Sequence, residues 1–136
     1  MSRKAKMNNK GFSLVELIIV VAIMAILAGV LIPQFVKYLE NSKKSADLSQ
    51  AESIANAVAA QYAEDMAAAT TSLSYDGSDH SVDGSVATIL NMGNSSPVSK
   101  VVPGTSFSYN LNQSNGDVTI KVGGDEIYPN PTASWQ

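Results

Sequence analysis

Lys10-Gly11-Phe12-Ser13-Leu14-Val15-Glu16-Leu17 is the stretch on which the reading of this 136-residue chain turns. After it, Leu17 to Val36 is a run of twenty residues without a charge. Before it, Arg3, Lys4, Lys6 and Lys10 put four positive charges in the first ten residues, with no acid. All twelve acids lie from Glu16 onward, against Lys37, Lys43, Lys44, Lys100 and Lys121. A basic segment ahead of an apolar one reads as a targeting or membrane segment.

A secretory signal peptide needs a shorter apolar core, about 7–15 residues, and a small-x-small cut site. The best candidate, Ile26-Leu27-Ala28, has a large Ile where a small residue is wanted. A plain transmembrane anchor fits better, because twenty residues at 1.5 Å each span roughly 30 Å of hydrocarbon. The positive end would then stay cytoplasmic. Neither reading explains Glu16. A carboxylate at the start of an apolar span costs on the order of 2–3 kcal/mol and marks a functional site.

The same residues resemble the class III signal of type IV pilins and pseudopilins. That resemblance implies a prepilin peptidase/N-methyltransferase that cuts after Gly11 and methylates the new first residue, Phe12. It also implies that Glu16, fifth in the mature chain, meets the Phe12 amine of a neighbouring subunit. Pro33 matches the proline that follows the apolar run in many members. The likeness is strong from Lys10 to about Tyr38 and weak beyond.

The chemistry is consistent with these roles. Gly11 has no side chain to shield its backbone from a protease, though a flexible linker would also use Gly. Cleavage leaves a positive amine on Phe12, which an apolar filament core tolerates only if it is paired. Glu16 supplies the partner: within one helix the two are i and i+4 and could pair, while the pairing with a neighbour that the resemblance implies would fix register more than stability. A helix-start acid facing the dipole is the plainer reading. Pro33 removes a backbone donor and crowds the preceding turn, so it is expected to kink the helix, with Gly29 weakening the same turn.

From Gln34 a second helical pattern begins. Ala51, Ile54, Ala55, Val58, Tyr62 and Met66 repeat at threes and fours as one apolar stripe, with Glu52, Asn56, Gln61, Glu64 and Asp65 between them. A helix from Phe12 to Met66 would be about 80 Å long, and its exposed half needs a bilayer or other subunits to cover it.

After Ala67 the composition turns polar. Tyr75-Asp76-Gly77-Ser78-Asp79 is turn chemistry. Ser85–Met92 reads as a short helix with Ser85 as N-cap and Gly93 past its end. Phe107, Tyr109 and Leu111 alternate with polar residues, as do Val118, Ile120 and Val122, around Asn115-Gly116. This is a hairpin. Gly123-Gly124 turns again toward a third strand at Glu126-Ile127-Tyr128. The expected fold is α+β: leader 1–11, apolar helix 12–36, amphipathic helix 37–66, and a head over 67–136 with a meander of about three antiparallel strands. The family often staples its C-terminal loop with two Cys; here there are none.

Zero Cys excludes a disulfide scaffold, a Cys-ligated metal and a thiol nucleophile. Asp76, Asp79 and Asp83 lack the regular spacing and closing Glu of a calcium loop. His80, the only His, has no readable triad around it. Asn94 and Asn112 begin chance-level glycosylation patterns. Phe12, Phe35 and Tyr38 read as packing aromatics rather than an electron path. Without the leader, five lysines stand against twelve acids, −7 in side chains, which disfavours nucleic acid as a partner.

The sequence therefore reads as the precursor of a major pilin. It is expected to be structural, with no enzymatic activity and no cofactor. It would sit single-pass in the cytoplasmic membrane, meet the lipid bilayer and an inner-membrane assembly platform, and end in a homo-oligomeric surface filament. Adhesion, twitching motility and biofilm formation follow as family functions. The alternatives are a major pseudopilin of a type II secretion or competence system and, in another class, an unassembled membrane-anchored extracellular binding domain.

Overall fold

The computed structural model describes residues 11–136. The basic leader, Gly11 apart, lies outside the described residues. Helix α1 spans Leu14–Ala68, 55 residues with Pro33 inside it. The contacts divide the chain into two units, one reaching to Leu39 and one covering Glu40–Gln136. In the first unit every described residue is exposed.

The second unit has its own core. A four-stranded antiparallel sheet runs in the order β1 (His80–Ser81), β2 (Phe107–Asn112), β3 (Asp117–Val122), β4 (Asp125–Tyr128). The meander and the α+β class are as expected, with one strand more than expected. The extra one, β1, pairs His80 with Tyr109 and Ser81 with Ser108. Two residues are too short to leave a periodicity in the sequence. The alternation along β2 and β3 puts Phe107, Tyr109, Leu111, Val118, Ile120 and Val122 inside. They pack into one core with Ala51, Ile54, Ala55 and Val58 of α1. At the β3–β4 turn both glycines take positive φ, Gly123 at 61° and Gly124 at 95°, which a tight two-residue hairpin turn demands.

The stripe on α1 differs from the expected one at its end. Met66 is 66% exposed, and Asp65 is buried in its place. The reason is angular. Asp65 lies eighteen residues after Asp47, about five full turns, so both share one angular position within the stripe while Met66 lies about 100° further round, past its edge. Both acids are buried and fully hydrogen-bonded. Asp47 accepts from Ser99 Oγ (2.6 Å) and from the main-chain N–H of Lys100 (2.9 Å) and Val101 (3.0 Å). Asp65 accepts from Ser72 N (2.7 Å), Ser72 Oγ (2.8 Å), Tyr75 Oη (2.8 Å) and Gln61 Nε2 (3.0 Å). Each clamps a loop onto the helix face at one end of the apolar stripe.

Helix α2 is Gly84–Ile89, shorter than expected and capped by Asp83 rather than Ser85. The Asp83 carboxylate accepts from both Ser85 N and Val86 N at 2.9 Å, which a hydroxyl at position 85 has no geometry to do. The helix closes with Asn91 at φ 56°, the Met92 N–H bonding Ala87 O and the Asn91 N–H bonding Thr88 O. That is a Schellman end, reached before Gly93. At the other extremity of the chain Trp135 is buried in the core, and Lys44 Nζ donates to Gln136 O at 3.3 Å. This tail is fastened by aromatic burial, where the resembling family often uses a disulfide.

Helix α1 ends in the same motif, with Thr70 N–H bonding Asp65 O and Ala69 at φ 52°. Alanine is penalised there by about 1–2 kcal/mol. Ala69→Gly should stabilise the second unit by about 1 kcal/mol, read as a rise of a few degrees in thermal midpoint. The Ser72 N–H and the other donors hold the Asp65 carboxyl well below the usual carboxylate range. Its stabilising contribution is therefore complete above the unfolded value of about 3.9 and is lost as pH falls through the folded value. Asp65→Asn should lower the thermal midpoint at pH 7, and the gap to wild type should narrow on acidification below about pH 4.

Candidate processing and assembly site

At the start of α1, Ser13 and Glu16 form a reciprocal cap. The Ser13 carbonyl accepts from Leu17 N–H at 3.2 Å. Ser13 Oγ accepts from Val15 N–H at 3.4 Å, and Glu16 Oε2 accepts from Ser13 N–H at 2.9 Å. This is the S-x-x-E capping box, with an acid in the first turn where the helix dipole favours it. Its signature stands in the sequence as Ser13-Leu14-Val15-Glu16, inside the signal-like motif. Phe12 is 90% exposed, and among the described residues a side chain at Gly11 would meet no atom within 4 Å.

Behind this cap lies an apolar surface. From Phe12 to Leu39, nineteen large apolar side chains are between 42% and 90% exposed, Phe35 and Tyr38 among them. One window of α1 is long and apolar enough to cross a membrane, and none of it is buried within the chain. Pro33 sits inside the helix, which continues through it. With no N–H at Pro33, the Gly29 carbonyl lacks its usual helical donor. Gly29 itself has open space where a side chain would be.

The other sequence candidates are occupied by structural bonds. Asp76 Oδ1 accepts from Ser78 N–H at 2.9 Å and meets His80 Nε2 at 2.8 Å, and the His80 contact leads in lowering the Asp76 carboxyl. Asp79 binds Lys121 Nζ (2.8 Å) and Asn110 Nδ2 (3.1 Å); the Lys121 bond leads in lowering its carboxyl. Asp83 caps α2. The three acids therefore point to three different partners. Among the described residues, no group of three or more His, Cys, Asp or Glu is placed to hold a metal ion. Asn94 and Asn112 are exposed. Sequence reasoning missed Asp47 and Asp65, whose only signal was their eighteen-residue separation on the stripe.

Residues 6–32 match the family model of the prokaryotic N-terminal methylation motif. Over 38 residues the chain is 55% identical to the type IV major pilin protein PilA of Myxococcus xanthus (strain DK1622), covering 28% of this chain and 17% of that one. Over 53 residues it is 43% identical to the type IV major fimbrial protein FimA of Dichelobacter nodosus, covering 39% of this chain and 34% of that one. No solved structure matches. The motif defines a class of chains that carry a methylation signal ahead of an apolar helix. Over the matched stretches the chain is similar to these type IV major pilin and fimbrial proteins. The matched stretch spans about a third or less of those relatives.

Because each of the three head acids is committed to protein donors, removing divalent cations should leave the thermal midpoint unchanged. Unfolding curves with excess chelator and with millimolar calcium should superimpose; a calcium-dependent rise would reveal a site.

Proposed function

We propose that this chain is the precursor of the major subunit of a type IV pilus. The observation that carries the reading is the nineteen uncovered apolar side chains from Phe12 to Leu39, behind a methylation motif. Burying a side chain of this kind is worth about 1.5–3 kcal/mol, so covering the set is worth tens of kcal/mol. That exceeds the roughly 5–15 kcal/mol that holds a whole domain folded. The segment cannot remain in water, and the other described residues offer it no cover. The bilayer covers it first, and copies of the same helix cover it afterwards.

In this reading the subunit waits single-pass in the cytoplasmic membrane, its N-terminus cytoplasmic. The prepilin peptidase cuts after Gly11 and methylates Phe12. An inner-membrane platform extracts the mature chain into a surface filament. There the Glu16 carboxylate pairs with the Phe12 amine of a neighbour, and Pro33 gives the packed helix a bend. The work is structural, with no reaction catalysed by the subunit. Adhesion, twitching motility and biofilm formation are the roles such a filament serves.

Mass spectrometry of sheared surface filaments should find a chain beginning at N-methylated Phe12. An intact Met1, or a cut after Ala28, would sink the proposal. The same terminus confined to membranes would replace the pilus by a pseudopilus. Gly11→Leu should block the cut. Glu16→Ala should be cut normally and build no filaments.

A further inference from the structure

We infer that Ser13 is a positioning residue for assembly: its main-chain N–H holds one oxygen of Glu16 and leaves the other for the ammonium of a second copy. The inference rests on the charge pairing proposed above for Glu16. Glu16 Oε2 lies 2.9 Å from Ser13 N, while Oε1 has no hydrogen-bond partner among the described residues. A carboxylate has lone pairs to spare on both oxygens, so the cap and an incoming ammonium do not compete for one acceptor.

Two consequences follow for the pair. A free glutamate side chain samples many rotamers, and ordering it would weaken any contact it makes. Here the ordering is complete once the first helical turn forms, before a neighbour arrives, which is pre-organisation in the ordinary sense. In the bilayer, the cap also satisfies half of a carboxylate that would otherwise face hydrocarbon unpartnered. The three-residue spacing matters, since N-cap to N3 is the distance over which a Glu or Gln reaches back to the cap's N–H. The donor is main chain, so the identity of residue 13 matters little so long as it has an N–H. That separates this role from capping by the Ser13 hydroxyl, which serves Val15 instead.

The test uses the full chain, ¹⁵N-labelled, in detergent micelles. Amide exchange at Ser13 should be about fivefold slower in wild type than in Glu16→Ala, the size of effect a lost cap produces. Glu16→Gln keeps an acceptor of the right length and should retain the protection. In cells, Ser13→Ala should assemble like wild type, while Glu16→Gln, tethered but uncharged, should not assemble. Equal Ser13 exchange in wild type and Glu16→Ala would overturn the tether while leaving the charge pairing standing. Normal filaments from Glu16→Gln with Ser13 still protected would overturn the charge pairing, and the positioning role with it.

Discussion

A helix segment that is apolar on every side, with no cover among the described residues, is the constraint on which the rest depends. The side chains from Phe12 to Leu39 point in all directions around α1, so no single packing partner would cover them. Only a surround does so: lipid, or several copies of the same segment. Within hydrocarbon a helix already satisfies its backbone. What remains polar is the helix start, and there the Ser13–Glu16 cap ties two of the loose groups together. Glu16 is thus both an ordinary helix cap and the acid at the edge of an apolar surface.

The second unit solves a smaller problem by ordinary means. One face of α1 from Ala51 to Val58 meets one face of a meander in a single apolar core. Hydrophobic burial alone does not fix loops, which carry unsatisfied backbone groups. Asp47 and Asp65 do that. Each presents a buried carboxylate to main-chain N–H groups of a loop, so each is stabilised only where that loop is seated. With Trp135 buried against the same core, these contacts hold the loops and tail of a chain without cysteine.

Much of this was legible because it is periodic. The uncharged run, the 3.6-residue stripe and the alternation along β2 and β3 each repeat often enough to be counted, and Gly123-Gly124 announces its turn. The elements that escaped are short or single. Strand β1 is two residues long. The choice of Asp83 over Ser85 as a cap depends on which side chain reaches two N–H groups. Asp65 read as an outward polar residue because a buried acid is only tolerable beside donors such as Ser72 and Tyr75, seven and ten residues on, whose folding back no local pattern records. The methylation motif is legible in the residue order from Lys10 to Glu16, and the capping box shares its Ser13 and Glu16.

The central claim is that the apolar surface of α1 is covered by other copies once the filament has formed. Because the chain has no cysteine of its own, a single Val21→Cys substitution reports on that surface alone. In filaments sheared from cells it should resist a water-soluble maleimide, and after the filaments are dissolved in concentrated guanidinium chloride it should react. Equal, rapid labelling of Val21→Cys in intact filaments and in dissociated subunits would contradict the account.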